Sequence, residues 1–128
     1  MPNDDPSIPA EARLLRRVIP DWIVPDENTK TKRVSSQAFC NSTGENGMSV
    51  FLEDALFAEG RDVASVVTGD YASHSLIAVT AGWVRSWQQG VIRDPLPEES
   101  SHAQVIGEKN SNIRRKLARQ YEWVVGPR

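Results

Sequence analysis

One thiol, two imidazoles and several serine hydroxyls are the groups in this chain able to attack a substrate or move a proton near neutral pH. Cys40 follows Phe39 in "RVSSQAFCNSTGENGMSV", behind the adjacent Ser35 and Ser36 and ahead of Ser49. A thiol becomes nucleophilic only where a histidine, a cation or a helix N-terminus lowers its pKa. No nucleophile signature surrounds Cys40, so a small apolar filler is its expected role. His74 in "YASHSLI" and His102 in "SSHAQV" each stand beside serines at the start of a strand-like run. An imidazole within reach of a substrate can act as general base. His102 is the stronger candidate of the two, because a loop shaped by Pro95 and Pro97 delivers it to a strand start. The histidines lie 28 residues apart, a spacing that matches no zinc pattern, and no metal site is expected.

The charged residues add three patterns. Glu53, Asp54 and Glu59 could form a paired-carboxylate site, yet they fall on a helix whose polar face should be acidic in any case. "IRRKLARQ" carries Arg114, Arg115, Lys116 and Arg119, four cations within six residues, with Ile113 and Leu117 marking the buried side of that helix. Such a patch can contact phosphates, or it can be a solvated face whose cations favour the helix C-terminus. Neither a Walker A pattern nor GxGxxG occurs, which excludes nucleotide hydrolysis of the P-loop type. Trp83, Trp87 and Trp123 suit core and rim better than base stacking.

The elements that must position these groups follow from length and pattern. At 128 residues one domain is expected, able to bury roughly two-thirds of the surface of its unfolded chain. With 39% hydrophobic and 25% charged residues the composition is that of a globular protein. A net charge of −2 gives no global attraction to nucleic acid or anionic membrane. A single cysteine, no signal-peptide pattern and no apolar run of membrane-spanning length point to a soluble, cytoplasmic protein.

Residues 1–10, with three prolines and two aspartates, read as a mobile leader before a single domain over 11–128. Leu14, Leu15 and Val18 would suit a helical face, but "LLRRVI" bounded by Pro20 also suits a strand, the reading favoured here, and "DWIV" between Pro20 and Pro25 predicts extended chain. "RVSSQAF" reads as a strand with Ser35 and Ser36 on opposite faces, "NSTGENG" as a turn, and "MSVF" as a returning strand. "LEDALFAEG" follows helical spacing, with Ser49 as a candidate cap and Gly60 at its C-terminal end. "LIAVTAGWVRSWQQGVIRD" predicts a twisted or bulged strand pair, since Gly82 and Gly90 suit helices poorly. "HAQVIG", a capped helix over "NSNIRRKLARQ" and a last strand "YEWVV" complete an α+β fold: a mainly antiparallel sheet with two or three helices.

The order "LLRRVIPDWIV…KRVSSQAF…GMSVFLEDAL…LIAVTAGWVRSWQQGVIRDPLPEESSHAQVIG" resembles, from about residue 13 onward, a family of small, mostly uncharacterised bacterial proteins. That resemblance implies a bacterial origin and one coherent domain, and carries no mechanism. A looser similarity is to ADP-ribosyltransferase-like folds, including the RES-type toxins that degrade NAD. These open with an arginine-bearing strand, continue with a serine-bearing strand, and then run from a strand into a helix. The similarity implies Arg16 or Arg17 for the first element, Ser35 and Ser36 or Ser49 for the second, and Glu53 as the acid. An arginine would hold the pyrophosphate, a serine would orient the ribose, and a carboxylate would stabilise the oxocarbenium-like centre as nicotinamide leaves. There is no tyrosine-based motif near the serines, and the acid falls early in the chain.

The expectation is therefore a small accessory or protein-binding module with no cofactor. Another protein would dock on the basic C-terminal helix or on the loop around Pro95 and Pro97. The first alternative is an NAD-using enzyme with Arg16, Arg17, Ser35, Ser36, Glu53 and His102 as its candidate catalytic residues. The second is nucleic-acid contact through Arg114, Arg115, Lys116 and Arg119, marked by strong salt dependence.

Overall fold

The computed structural model describes residues 2–42 and 47–128. Its eight strands are β1 (Arg13–Val18), β2 (Ile23–Asp26), β3 (Thr31–Val34), β4 (Gly47–Leu52), β5 (Ser75–Thr80), β6 (Gly90–Arg93), β7 (His102–Ile106) and β8 (Glu122–Val125). Three short helices accompany them: α1 (Glu53–Ala58), α2 (Ala81–Arg85) and α3 (Ser111–Leu117). Six strands form one antiparallel sheet in the order β6-β7-β4-β1-β5-β8, and β2 and β3 form a separate hairpin. The protein is an α+β domain built mainly on antiparallel sheet.

Register decides which side chains share a face. Leu14 pairs with Leu52 and with Val79, whereas Leu15 pairs with Phe51 and with Ala78. Side chains alternate along each strand, so β1 feeds two cores. One face carries Leu14, Val18, Val50, Ile77, Ala103 and Val105, packed under Phe39, Val84 of α2 and Leu117 of α3. The other carries Leu15, Phe51, Leu76 and Ala78 beneath Leu56 of α1 with Val66 and Val67. Full burial of each such leucine or phenylalanine is worth about 1.5–3 kcal/mol, which fixes the register because a one-residue slip would exchange the faces.

Several expectations change where tertiary contacts override local pattern. Residues 2–10, read as a mobile leader, are packed along the sheet edge. Asp5 donates its amide to the Val91 carbonyl at 2.7 Å, the Val91 amide donates to Asp4 Oδ1 at 2.8 Å, and Ile8 is 1% exposed. Gly90 permits this approach, since a Cβ there would stand 1.9 Å from the Asn3 carbonyl oxygen. The strand pair expected across Gly82 is instead β5, helix α2 and β6. Thr80 caps α2 by accepting from the Trp83 amide at 3.1 Å, and Gly82 lies against the Ala10 carbonyl, 3.1 Å from where a Cβ would be.

The strand predicted over "RVSSQAF" ends at Val34 and gives way to a 3-10 turn, Ser36–Phe39. Ser35 drives the change by accepting from the Gln37 amide at 3.2 Å, a local bond that competes with a ladder, while Ala38 and Phe39 drop into the core. Pro20–Trp22 is likewise a 3-10 turn, so the extended chain expected over "DWIV" begins only at Ile23. Ser49 does not cap α1: it lies within β4, and Leu52 holds the cap position without a side-chain bond. Gly60 follows the helix at φ 72°, as a C-terminal glycine should. Most of the turn "NSTGENG" lies outside the described residues. Asn110 caps α3 by accepting from the Ile113 amide at 2.9 Å.

Candidate functional site

Arg16 and Arg17 are consecutive in β1 and therefore lie on opposite faces. Arg16 shares the face of Leu14 and is 7% exposed. Its Nε donates to the Ala38 carbonyl at 3.1 Å and its Nη1 to the Ser49 carbonyl at 2.9 Å, with the guanidinium 5.5 Å from the Trp22 ring centroid. Burial lowers its pKa, with Cys40 opposing. Arg16 is thus a strut joining β1 to the Ser36–Phe39 turn and to β4.

Arg17 opens onto the other face. Its Nε donates to the Val66 carbonyl at 2.5 Å, and its guanidinium lies 3.5 Å from the ring centroid of Tyr71 and 4.6 Å from that of Phe51. No ion pair forms at Arg17 among the described residues. Burial pulls its pKa down, opposed by Tyr71 and Glu99, and a guanidinium so placed keeps its charge.

Arg17 and Tyr71 each line two adjacent pockets, here the first and second lobes. The first lobe, about 410 Å³, is lined by Ser49, Phe51, Glu98, Glu99 and His102. The second, about 310 Å³, is lined by Arg16, Trp22, Cys40, Asn41, Ser42 and His74. The first follows from sheet register. Phe51 pairs with His102 and Ser49 with Gln104, so Ser49, Phe51, His102 and Gln104 share the face of Leu15 and Arg17.

His102 is held through Nδ1. Nδ1 lies 2.9 Å from the Asp94 carbonyl oxygen and 3.2 Å from Asp94 Oδ2, and Gln104 Nε2 donates to Oδ2 at 2.7 Å. A carbonyl only accepts, so Nδ1 carries a proton and donates. The imidazole stands edge-on to Phe51 at a centroid distance of 6.1 Å. The Ser49 and Ser42 hydroxyls are 3.1 Å apart, and the Ser49 amide donates to Ser42 Oγ at 3.3 Å. Ser42 Oγ therefore donates to Ser49 Oγ, which keeps its own proton to donate. Glu99 is neutralised by a bidentate Arg61 at 2.5 and 3.0 Å and accepts from Ser101 Oγ at 2.6 Å. Burial works against its charge, but the Arg61 and Ser101 bonds prevail and hold its pKa below the usual carboxylate range.

The remaining candidates are dispersed. Ser35 caps its own turn, and Ser36 begins it; neither lines the cleft. Glu53 pairs with Arg13 Nε at 3.1 Å and faces a separate cavity with Ile8 and Arg93. Glu59 is held by Arg61 at 3.5 Å and by Ser100. Cys40 and His74 edge the second lobe, the latter with a buried Nδ1 that finds no partner among the described residues. On α3, Arg114 Nη1 donates to the Lys109 carbonyl at 2.6 Å and Lys116 Nζ sits 4.5 Å from the Trp87 ring centroid, leaving Arg115 and Arg119 exposed.

Tyr71 and Asp94 have no counterpart in the sequence reading. Tyr71 lies in the 3-10 turn Gly69–Tyr71, where no hydrophobic period marks it, and Asp94 stands directly before Pro95. Lys109, 8% exposed, is a further buried cation: its Nζ donates to Asn41 Oδ1 at 2.5 Å and to the Val105 and Gly107 carbonyls at 2.8 and 3.2 Å. Among the described residues no group of three or more histidine, cysteine or acidic side chains is arranged to hold a metal ion, and no helix is long and apolar enough to cross a membrane. Compared with protein-family models, curated proteins and solved structures, the chain finds no match in any of the three.

Proposed function

We propose that the chain binds NAD in this cleft and belongs, in its use of that ligand, with ADP-ribosyltransferase and RES-type proteins. The observation that carries this is Arg17, a half-buried guanidinium without a carboxylate partner among the described residues, placed where the two lobes meet. A dinucleotide has a ring-bearing group at each end and an anionic pyrophosphate between them. Arginine offers two parallel donors to such a phosphate, and the rings of Phe51 and Tyr71 flank the guanidinium.

Of the residues implied by the resemblance, Arg17 and Ser49 share the first lobe. Arg16 is committed to two backbone carbonyls, and Glu53 to Arg13. Glu98, which lines the first lobe and makes no ion pair among the described residues, is the carboxylate able to face a developing positive centre. The accessory-module reading lacks a comparable feature, since two of the three α3 cations, Arg114 and Lys116, are already engaged within the fold.

Thermal unfolding with and without NAD tests the proposal. Ligand at a hundred times its Kd should add about 2.7 kcal/mol and raise the midpoint by several degrees, and Arg17→Ala should abolish the rise. No rise in the wild-type protein would overturn it and leave the partner-docking module as the reading to pursue.

A further inference from the structure

The second lobe lies where the sheet opens between β1 and β4. Their ladder ends at the pair of Leu15 with Phe51, although β1 runs on to Val18. Past that point Ser49 of β4 turns to other partners: its carbonyl accepts from Arg16 Nη1 at 2.9 Å, and its amide donates to Ser42 Oγ at 3.3 Å. The opening lets arginines from opposite faces of β1 line one pocket. Its fixed charges are all of one sign. Arg16 and Arg17 stand in the wall of the lobe, and among the described residues no aspartate or glutamate does.

Positive charge accumulates behind that wall as well. Lys109, 8% exposed, donates to Asn41 Oδ1, and burial followed by the charge of Arg16 pulls its pKa down to about 8. Neither Arg16 nor Lys109 has a carboxylate partner among the described residues, so carbonyl and amide oxygens satisfy their protons but not their charge. Two like charges held in this way favour an anion close by. Donors for it are present. Lys109 takes the Asn41 oxygen, which leaves the amide nitrogen of Asn41 to donate. His74, in the same wall, has a buried Nδ1 without a partner among the described residues. Arg17 spends Nε on the Val66 carbonyl and keeps both terminal nitrogens.

We infer that the second lobe binds a phosphate dianion, free or as the monoester of a small molecule, through Arg17, Asn41 and His74 in the field of Arg16 and Lys109. Charge selects the ligand class, since three cations and no acid suit a dianion better than a carboxylate. The planar guanidinium of Arg17 presents paired donors that match two phosphate oxygens. At about 310 Å³ the lobe has room for that group and a small body against Ile19 and Trp22. The inference goes beyond the NAD reading and does not depend on it, although NAD and phosphate would compete for Arg17.

The test is thermal unfolding in inorganic phosphate, phenyl phosphate, acetate or chloride at matched ionic strength, for the wild-type protein and for Asn41→Asp. The wild-type midpoint should rise by several degrees in phosphate and level off, unlike a rise caused by exclusion of the salt from the surface, and acetate should act no differently from chloride. Asn41→Asp sets a carboxylate beside Lys109 in the lobe, so it should raise the midpoint in chloride and cancel the rise in phosphate. A residue that served packing alone would not give both changes. Should N41D fail to fold, His74→Ala carries the comparison: its affinity for phosphate should fall about tenfold while its midpoint in chloride stays near that of the wild type. A stronger response to phenyl phosphate than to phosphate identifies an ester as the ligand, an equal or weaker one identifies free phosphate, and either upholds the site. No rise in phosphate above chloride, an equal rise in acetate, or an undiminished rise in the variant overturns it. NAD is absent throughout, so failure here leaves the NAD reading to its own test.

Discussion

Arg16 and Arg17 are the same residue type, one position apart, and the two faces of the sheet make different things of them. On the face of Arg16, α2, α3 and the Ser36–Phe39 turn close over the strands, and the guanidinium is spent on the Ala38 and Ser49 carbonyls. On the face of Arg17, α1 and the Val63–Val67 turn cover only part of the sheet, and the guanidinium opens into a two-lobed cleft. A buried cation satisfied by backbone acts as a structural tie, whereas a half-buried one between two rings keeps part of its guanidinium at the surface. What separates them is the cover above each face.

Substitutions can break this comparison. Arg16→Ala should have the largest effect on folding, about 3–5 kcal/mol by urea unfolding, because two carbonyls lose their donors and a hole opens beside Trp22. A small loss there would show that the Arg16 face is not the closed one. Arg17→Ala should cost only about 1 kcal/mol in folding while removing the about 2.7 kcal/mol supplied by saturating NAD. If both variants unfold alike, the distinction between strut and site is wrong.

Lys109, packed near Arg16, sharpens the contrast through pH. Burial, and then the charge of Arg16, pull its ammonium from 10.5 down to about 8. Between those values the unfolded chain holds a proton that the folded chain has released, so stability from this group rises with pH across that window and is lowest below pH 8. The wild-type protein should therefore gain about 2 kcal/mol relative to Lys109→Met between pH 8 and 10, measured as paired urea titrations. A flat difference would mean that the Lys109 ammonium is not strained by its surroundings. The smallest effect belongs to the solvated side of α3: Arg115→Ala with Arg119→Ala should change stability by less than about 0.5 kcal/mol and leave the NAD shift intact. Steeply salt-dependent binding of an oligonucleotide, lost in that double variant, would instead move the functional surface to α3.

Much of the scaffold was legible before any contact was known. The apolar run into Val79 and the asparagine before "SNIRRKL" each name an element from local physics alone, whereas "LLRRVI" suits a helical face as well as a strand. The misreadings share one cause. A helix containing Gly82, a turn in place of a strand at Ser36 and a packed segment around Ile8 all depend on close approach by residues distant in the chain, such as Ala10 to Gly82 and Asn3 to Gly90. Of the residues around the first lobe, Arg17, Ser49 and His102 stood among the sequence candidates, whereas Tyr71, Asp94 and Glu98 carried no local signal, and Glu53 lies on a separate cavity.

The sequence by itself determined that two adjacent arginines must face opposite ways, since a strand has a period of two, and it marked His102 at the head of a strand. Only the tertiary structure decided which arginine would be sealed, which histidine nitrogen would be held and which acid would stand nearby. Those outcomes rest on pairs such as Arg17 with Val66, 49 positions apart, and Arg16 with Ser49, 33 apart. Local pattern says which side chains share a face. It takes the returning chain to cover that face or leave it open.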